Sequence, residues 1–503
     1  MRFKTLLFII LLLITGDLLC LSFWNFPQRD DYILNFLYHH LGFWGVQSWI
    51  YHNNTGRYFS SFIGAVFASK GFLYAHYYLH SQLLIMGTIA GMIFMSRRLL
   101  KRLLNYSLSY ASALLYSLVF FLVFLSIAPE VSTALFWFSS SVTYQTGNIL
   151  LLFFIGSVVE VVYPGNSFRR TIFAVVSAGL IFLIMGTNEL SALLVSFLFI
   201  PVIWMLWRRR RVSAPVSLVW ILTLGLSLFF LFHAPGIALR TRSIPVHNPV
   251  SAIGSALFWL ATSFWFSFKV PLFWFFEIDM FFIGTLFKSD KPAVPLEGFI
   301  NLPIKKMITR VLLTEIVALI PILYAMNGSL PLRGLNTIVF INLILMTGLS
   351  FFLGRRNSGP EIGFFSRLLP KMKYILYILV IFANPFFYQL IQTNLSGYFY
   401  HQVMRQNIRI LQQSEDLGLK SAHVPDFDTA MIKILNAEFG KNLRSIVKNE
   451  IIQKPSLIYF NYSGGKSFPD SYLLDYYGLD SLYIGNHLFT KKILNREINL
   501  NTQ

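Results

Sequence analysis

Long apolar runs are the feature that most constrains what this chain can fold into. Stretches of about 20 apolar residues, the length that crosses a hydrocarbon core, recur along the first 391 positions. The chain is 55% hydrophobic and only 13% charged, whereas a soluble domain carries about twice that charged fraction. The sequence therefore predicts an integral membrane protein of the all-α, polytopic class.

Basic clusters between the apolar runs predict the topology. Residues 97–102 and 208–211 are rich in arginine and lysine, and short loops of this kind usually stay on the cytoplasmic side. If successive loops alternate between the two sides of the membrane on this basis, the chain has about eleven spans. The first span is uncleaved, and Arg2 and Lys4 before it give a cytoplasmic N-terminus. The net charge of +19 is concentrated in these loops, which argues against a nucleic-acid partner.

One stretch leaves the topology open. Ser251–Lys269 is apolar and aromatic, and we expect it to be an interfacial helix on the outer face, followed by a span over Pro271–Phe287. If Ser251–Lys269 also crossed the membrane, every later loop would change sides. Arg355 and Arg356 would then lie outside, against the positive-inside rule.

The predicted domain organisation has two parts. Residues 1–391 form the membrane domain, with an outer acidic loop over 23–71. Residues 392–503 follow the last span and lie outside the cell membrane. Their helical spacing and their short strand-like runs, SLIYFNY and SLYIGNH, predict a small extracytoplasmic domain of the α/β or α+β type.

Ionisable residues in this apolar chain gather at the predicted outer ends of the spans. Such residues are costly in a bilayer and tend to face the bundle interior or a wet cavity. A carboxylate there can accept a proton from a sugar or lipid hydroxyl, and arginines can hold a phosphate. Trp44, Trp49 and Trp137 can stack on sugar faces. The outer set comprises Asp30, Asp31, Arg57, Glu130, Glu189, His233, Arg240, Arg242 and Arg333.

Each of these residues also has a structural interpretation. The acidic pair could be a solvated loop, and Arg57 could extend to lipid headgroups. Glu130 and Glu189 could cap the helices that follow them. Arg240 could equally bind lipid headgroups. The functional interpretation therefore depends on whether the set converges in space.

Several segments together resemble the GT-C glycosyltransferases, which are multi-span enzymes that use polyprenyl-phosphate sugars on the outer face. An acidic pair follows the first span, and the segments GRYFSS, APEVSTALFWFSSSVTYQTG, GTNEL, HAPGIALRTR and LPLRG follow in order. They resemble a poorly characterised bacterial branch of that superfamily. The resemblance covers the membrane part through Arg333 and, more loosely, DYYGLDSLYIGN in the tail.

The resemblance implies a GT-C-like bundle in the bacterial inner membrane and an inverting transfer from undecaprenyl-phosphate-sugar to a cell-envelope glycan or lipid. Asp30 or Asp31 would be the catalytic base, with Asp31 preferred, or would bind a divalent cation such as Mg²⁺ or Mn²⁺. Arg240, Arg242 and Arg333 would be the phosphate contacts. The remaining substrate-binding positions in the resembling segments are Arg57, Glu130, Tyr144, Asn188, Glu189 and His233.

Two other functions compete with this one. O-antigen polymerases and ligases also use outer arginines on a lipid-linked substrate, but they place them in long loops between late spans, whereas here an acidic pair follows the first span. A lipid-linked glycan transporter or flippase would place charged residues in mid-membrane and break its helices there. Most of the notable charged residues of this chain lie at the outer ends of spans, whereas Asp17, Glu277 and Asp279 lie within spans. We expect Asp17 to pair with another residue of the bundle and the other two to form helix–helix hydrogen bonds.

Overall fold

The computed structural model describes residues 2–27, 29–68, 72, 75–163, 166–242, 248–287, 304–357, 372–425, 479–484 and 487–490. Helices dominate these residues. In order they are α1 (Arg2–Leu21), α2 (Arg29–Asn53), α3 (Tyr58–Val66), α4 (Tyr78–Leu104), α5 (Tyr110–Ile127), α6 (Phe138–Val162), α7 (Ser167–Met185), α8 (Glu189–Arg208), α9 (Ala214–Phe232), α10 (Pro235–Arg242), α11 (Pro249–Phe268), α12 (Pro271–Leu286), α13 (Ile304–Ala325), α14 (Leu332–Arg356), α15 (Met372–Phe382) and α16 (Pro385–Asp416).

The helices define a multi-pass membrane protein. Within the described residues, ten helices are long and apolar enough to cross a membrane, or eleven if α15 and α16, which are bent by 53°, count as one span. The all-α polytopic class predicted from the sequence is confirmed. The reason is elementary: a bilayer core offers no partner for backbone N–H and C=O groups, so an apolar segment must satisfy them within its own helix.

Local signals fix several helix ends. Asn166 and Asn188 begin α7 and α8, and each side-chain oxygen accepts a hydrogen bond from a backbone N–H of the first turn. The basic cluster at residues 97–102 lies within a helix and does not end it. That helix is α4, which starts at Tyr78 and continues through the cluster to Leu104, because arginine, lysine and leucine are all good helix formers.

The stretch Ser251–Lys269 forms α11, which is long and apolar enough to count among the candidate spans. Helices α11 and α12 follow α14 one after the other in the same direction. Ser263 lies 3.0 Å from Asn342, and Thr347 donates to Glu277 at 2.9 Å. Gly284 packs on the Phe351 backbone. The two helices together therefore accompany α14 along its length, and Arg355 stays at the end where α12 finishes, as the topology requires.

The predicted partners of the charged residues within spans are confirmed. The Asn394 amide donates to Asp17 at 2.7 Å, and Glu277 accepts from Thr347 as described above. Asp279 accepts from the Tyr377 hydroxyl of α15 at 3.1 Å and also pairs with Lys373 of the same helix at 3.1 Å. These contacts tie helices that are distant in sequence, because a charged group buried in a bundle is tolerated only with a partner.

The tail beyond α16 is described only in part. Strands β1 (Ser421–Val424), β2 (Ser481–Ile484) and β3 (His487–Thr490) form a sheet in the order β1-β2-β3, with β1 parallel and β3 antiparallel to β2. Most of the domain predicted for residues 392–503, including SLIYFNY, lies outside the described residues. The α/β or α+β class of that domain therefore stays a prediction.

Candidate functional site

A cavity of about 620 Å³ lies where α2, α3, α6 and α10 meet the start of α14. Its walls combine apolar side chains with hydroxyls, amides and charges. Five of the predicted catalytic and substrate-binding residues line it: Asp30, Arg57, Tyr144, Arg240 and Arg333. Residues separated by up to about 300 positions in sequence are thus brought to one concave surface, which is the usual shape of a ligand site.

Glycines shape this cavity. Gly42 has φ 69° and breaks α2 into two arms, so that Asp30 lies on one arm and Trp49 on the other, both facing the cavity. A side chain at Gly236, in the first turn of α10, would meet the backbone of Asn54. The loop that carries Arg57 can therefore lie directly against α10, which carries Arg240.

Asp31 is fully buried and serves as a structural acceptor. Its carboxylate accepts hydrogen bonds from the Tyr77 hydroxyl at 2.7 Å, from the Ser139 hydroxyl at 2.6 Å and from the Ser139 backbone N–H at 3.1 Å. Burial, and after it the Asp31 carboxylate, raises the pKa of Tyr77 well above its usual value, so the phenol stays protonated and donates. The network fixes the first turn of α2 to α6 and to the segment before α4.

Asp30, the neighbour of Asp31, lies on the cavity wall. Consecutive residues of a helix point about 100° apart, so one carboxylate of the pair can anchor the helix while the other faces the cavity. The placement reverses the preference for Asp31 as the candidate base. Asp30 is the acidic residue that a bound acceptor could reach.

Arg57 forms an ion pair with the carboxylate of Glu189. Its Nε donates to Glu189 at 2.8 Å and its Nη2 lies 2.7 Å from the same oxygen, while Thr55 donates to the other oxygen at 2.9 Å. Burial alone would lower the pKa of Arg57, but Glu189, and after it the Tyr144 hydroxyl, raises it above its usual value. Glu189 is thereby committed to Arg57 and Thr55, so it positions an arginine and does not face the cavity.

Arg240 and Arg333 supply the other positive charges. Partial burial, and after it the neighbouring Arg57 guanidinium, lowers the pKa of Arg240, and Arg333 contributes in the same sense. The Arg333 guanidinium lies 5.1 Å from the centre of the Trp137 ring. Its Nε is buried and has no hydrogen-bond partner among the described residues. Because Glu189 balances Arg57, the guanidiniums of Arg240 and Arg333 are the two on this concave surface that are arranged to bind an anion.

Five of the predicted substrate-binding residues do not line the cavity, and Glu189 is one of them. Asn188 is buried and caps α8, and its amide donates to the Thr143 carbonyl oxygen at 2.8 Å. Glu130 accepts from Thr133 at 2.9 Å. His233 stacks on a phenylalanine of its own helix α9, and Arg242 lies at the end of α10 beyond the cavity wall. The structure therefore gives Asn188 and Glu130 structural contacts, and substrate binding by either residue stays a prediction.

Sequence reasoning missed the polar residues that complete the wall. Ser139 both lines the cavity and bonds Asp31, and Asn53, Thr55 and Thr143 line it as well. Their signal in the sequence was weak, because serine, threonine and asparagine are common at helix ends. Only the run of three serines after Phe138, at the start of an otherwise apolar span, marked this position.

The acidic pair does not form a metal site in this arrangement. Asp31 faces hydroxyl and backbone donors, which would compete with a cation for its oxygens. Across the described ranges, no group of three or more His, Cys, Asp or Glu side chains could hold a metal ion. The residues that line the cavity offer arginines and hydroxyls instead, which suits an anionic ligand.

The fold and the cavity define a class, a polytopic α-helical membrane protein with an arginine-lined site at one end of the bundle. No known protein family, curated protein or solved structure matches this chain. The function therefore has to be argued from the residues of the site.

Proposed function

We propose that the protein is a membrane glycosyltransferase of the GT-C type, which moves a sugar from a polyprenyl-phosphate carrier to a cell-envelope glycan or lipid. The observation that supports this most is the shared cavity: the candidate base Asp30 and the arginines Arg57, Arg240 and Arg333 line the same wall. A base for a hydroxyl and a cradle for a phosphate are the two elements that this transfer requires.

The reaction is a single displacement. The Asp30 carboxylate accepts the proton of the acceptor hydroxyl, whose oxygen attacks the anomeric carbon of the donor sugar. The bond between that carbon and the carrier phosphate breaks, and its electron pair leaves with the phosphate. The anomeric configuration inverts. Arg240 and Arg333 bind the departing phosphate and stabilise the charge that grows on it.

Arg57 has a different role from the other two arginines. Its charge is balanced by Glu189 at 2.7 Å, so it contributes little net attraction for a second anion. It holds the Tyr144 hydroxyl at the cavity instead. We therefore assign phosphate binding to Arg240 and Arg333, and positioning of the cavity wall to Arg57.

The proposed orientation follows from charge. Arg98, Arg102 and Arg169 gather at the opposite end of the bundle from the cavity, and the positive-inside rule makes that end cytoplasmic. The cavity then faces the outer side of a bacterial inner membrane, where lipid-linked sugars are used. The C-terminal domain lies on that outer side as well.

Mass spectrometry of the cell-envelope glycans tests the proposal. A deletion strain is complemented with wild type, Asp30→Asn, or the control Asp416→Asn, which removes an exposed carboxylate at the end of α16. We expect the deletion to lack one sugar, wild type and Asp416→Asn to restore it, and Asp30→Asn to fail although the protein is expressed. Restoration by Asp30→Asn would remove the base from the mechanism. Loss of repeat units or of a whole chain, rather than one sugar, would favour a polymerase or ligase.

A lipid-linked glycan transporter is the second candidate, favoured by a buried polar site within the bundle. Glu315 is fully buried, and the Asn342 amide donates to it and accepts from Ser263 at 3.0 Å. Buried carboxylates and broken helix pairs, such as α15 and α16 with their bend of 53°, are common in transporters. The test is a flipping assay in proteoliposomes with a fluorescent polyprenyl-phosphate lipid. Flipping that Glu315→Gln abolishes and Asp30→Asn leaves intact would support transport.

A further inference from the structure

A second cluster of charges lies at the far end of α6 from the cavity. Glu160 follows Ser139 by 21 positions in this helix, which corresponds to about 32 Å, close to the thickness of a bilayer core. Its carboxylate is fully buried and pairs with Arg98 at 3.0 Å, Arg102 at 2.8 Å and Arg169 at 3.0 Å. Helices α4, α6 and α7 thus each contribute to one charged cluster.

The cluster carries more positive charge and more donors than Glu160 can use. One carboxylate faces three guanidiniums, which leaves two positive charges unbalanced within it. A carboxylate accepts at about four positions, whereas three guanidiniums carry about fifteen N–H donors. The side chains of Arg98, Arg102 and Arg169 are 28%, 18% and 35% exposed, so part of each guanidinium reaches the surface.

The next residue of α7, Arg170, adds a positive charge at the same end of the helix. Arg170 donates from Nη2 to the Arg211 carbonyl oxygen at 2.7 Å, which draws the turn after α8 towards the cluster. Its Nε is buried and has no hydrogen-bond partner among the described residues. A buried N–H of a charged group without a partner is costly, and an anion at this position would satisfy it.

The surface next to the cluster is apolar and exposed. Ile172 and Val176 are 44% and 42% exposed and follow Arg169 by three and seven positions, so all three lie on one face of α7. Phe173 lies beneath the guanidiniums of Arg98 and Arg169, whose central carbons are 5.9 and 5.7 Å from its ring centre. A cationic head region continuous with an apolar stripe matches an amphiphile better than a soluble anion.

We infer that the cluster around Glu160 binds the headgroup phosphate of an anionic phospholipid, whose acyl chains lie along the exposed face of α7. Glu160 acts as the anchor that orients the three arginines, and their outward N–H groups bind the phosphate. Basic pockets between membrane helices are suited to such headgroups. The inference rests on residues outside the cavity and does not depend on the proposed glycosyl transfer.

Lipid retention in nanodiscs tests the inference. The full-length protein is placed in phosphatidylcholine nanodiscs with and without phosphatidylglycerol, and bound phosphatidylglycerol is measured by native mass spectrometry. Arg169→Gln leaves Glu160 with two arginines, and Arg98→Gln is a second variant in case the first fails to fold. The matched control is Lys306→Gln, which removes an exposed positive charge at the start of α13. Inorganic phosphate is titrated as a competitor.

We expect each arginine variant to lower the affinity for phosphatidylglycerol by about fivefold, the value of one basic side chain near a membrane surface. Lys306→Gln should change it less than twofold, and inorganic phosphate should not compete. Equal effects of the three substitutions would show general attraction to a basic face and overturn the site. Displacement of the lipid by inorganic phosphate would assign the cluster to a soluble anion and overturn the lipid as its ligand.

Discussion

The two adjacent aspartates should respond differently to the same substitution. Asp31→Asn replaces one carboxylate oxygen with an amide N–H₂ in a buried site where both oxygens accept hydrogen bonds. If the remaining oxygen faces Ser139, the amide nitrogen meets the Tyr77 hydroxyl, which itself accepts from the Phe138 backbone N–H at 3.2 Å. Asp30→Asn changes a side chain on the cavity wall.

The magnitude follows from the hydrogen bonds of Asp31. A hydrogen bond to a charged group contributes about 1.5–3 kcal/mol, and one such bond is lost whichever way the new amide turns. The bonds that remain become neutral and weaken by about half. We therefore expect Asp31→Asn to lower the free energy of unfolding by about 2–5 kcal/mol. Asp30→Asn, on the cavity wall, should lower it by less than Asp31→Asn does.

The assay is reversible unfolding of the purified protein by SDS in mixed micelles, followed by tyrosine and tryptophan fluorescence. Tyr77→Phe provides the matched background, because it removes the donor that faces Asp31. In that background Asp31→Asn should cost about 1–2 kcal/mol less than in wild type. Equal destabilisation by Asp30→Asn and Asp31→Asn would refute the assignment of Asp31 as anchor and Asp30 as cavity residue.

Three further predictions concern the residues that shape the cavity. Arg57→Gln and Glu189→Gln should each lower the free energy of unfolding, measured by the same SDS titration. The double variant should lose about 1–3 kcal/mol less than the sum of the two single losses. Additive losses would contradict the ion pair. Gly236→Ala should push α10 away from Asn54, where the backbones touch. The variant should have a lower stability and should complement the deletion strain less well. An unchanged stability and full complementation would refute the close approach. Gly42→Ala should cost about 1–3 kcal/mol, because its φ of 69° and ψ of 176° lie in a region that glycine alone adopts readily. An unchanged unfolding midpoint would argue against the break in α2.

The membrane class and most of the spans follow from the sequence alone. Hydropathy over about 20 residues is a local property, so each span can be recognised without knowing its neighbours. Basic clusters such as Arg208–Arg211 mark where spans end. The convergence of Asp30, Arg57, Arg240 and Arg333 was also predictable in outline, because span ends that alternate across a membrane share one face.

Only the tertiary structure decided which members of that set act together. Asp30 and Asp31 are identical in type and adjacent in sequence, and their side chains point about 100° apart on the helix. Which of them is buried and which faces the cavity depends on Tyr77 and Ser139, which bond Asp31. Likewise, the pairing of Arg57 with Glu189 joins positions that no local pattern connects.

For the helix pair α11 and α12, too, the sequence determined one part of the answer and the tertiary structure the other. The apolar composition of Pro249–Phe268 permits both an interfacial helix and a span, and only the structure shows that α11 lies on Asn342 and α12 on Phe351 of α14. The sequence by itself therefore determined that this chain enters a membrane and where most of its spans lie, since these depend on local apolarity. The structure decided which charges face the cavity and which ones hold the helices together, since these depend on contacts between distant segments.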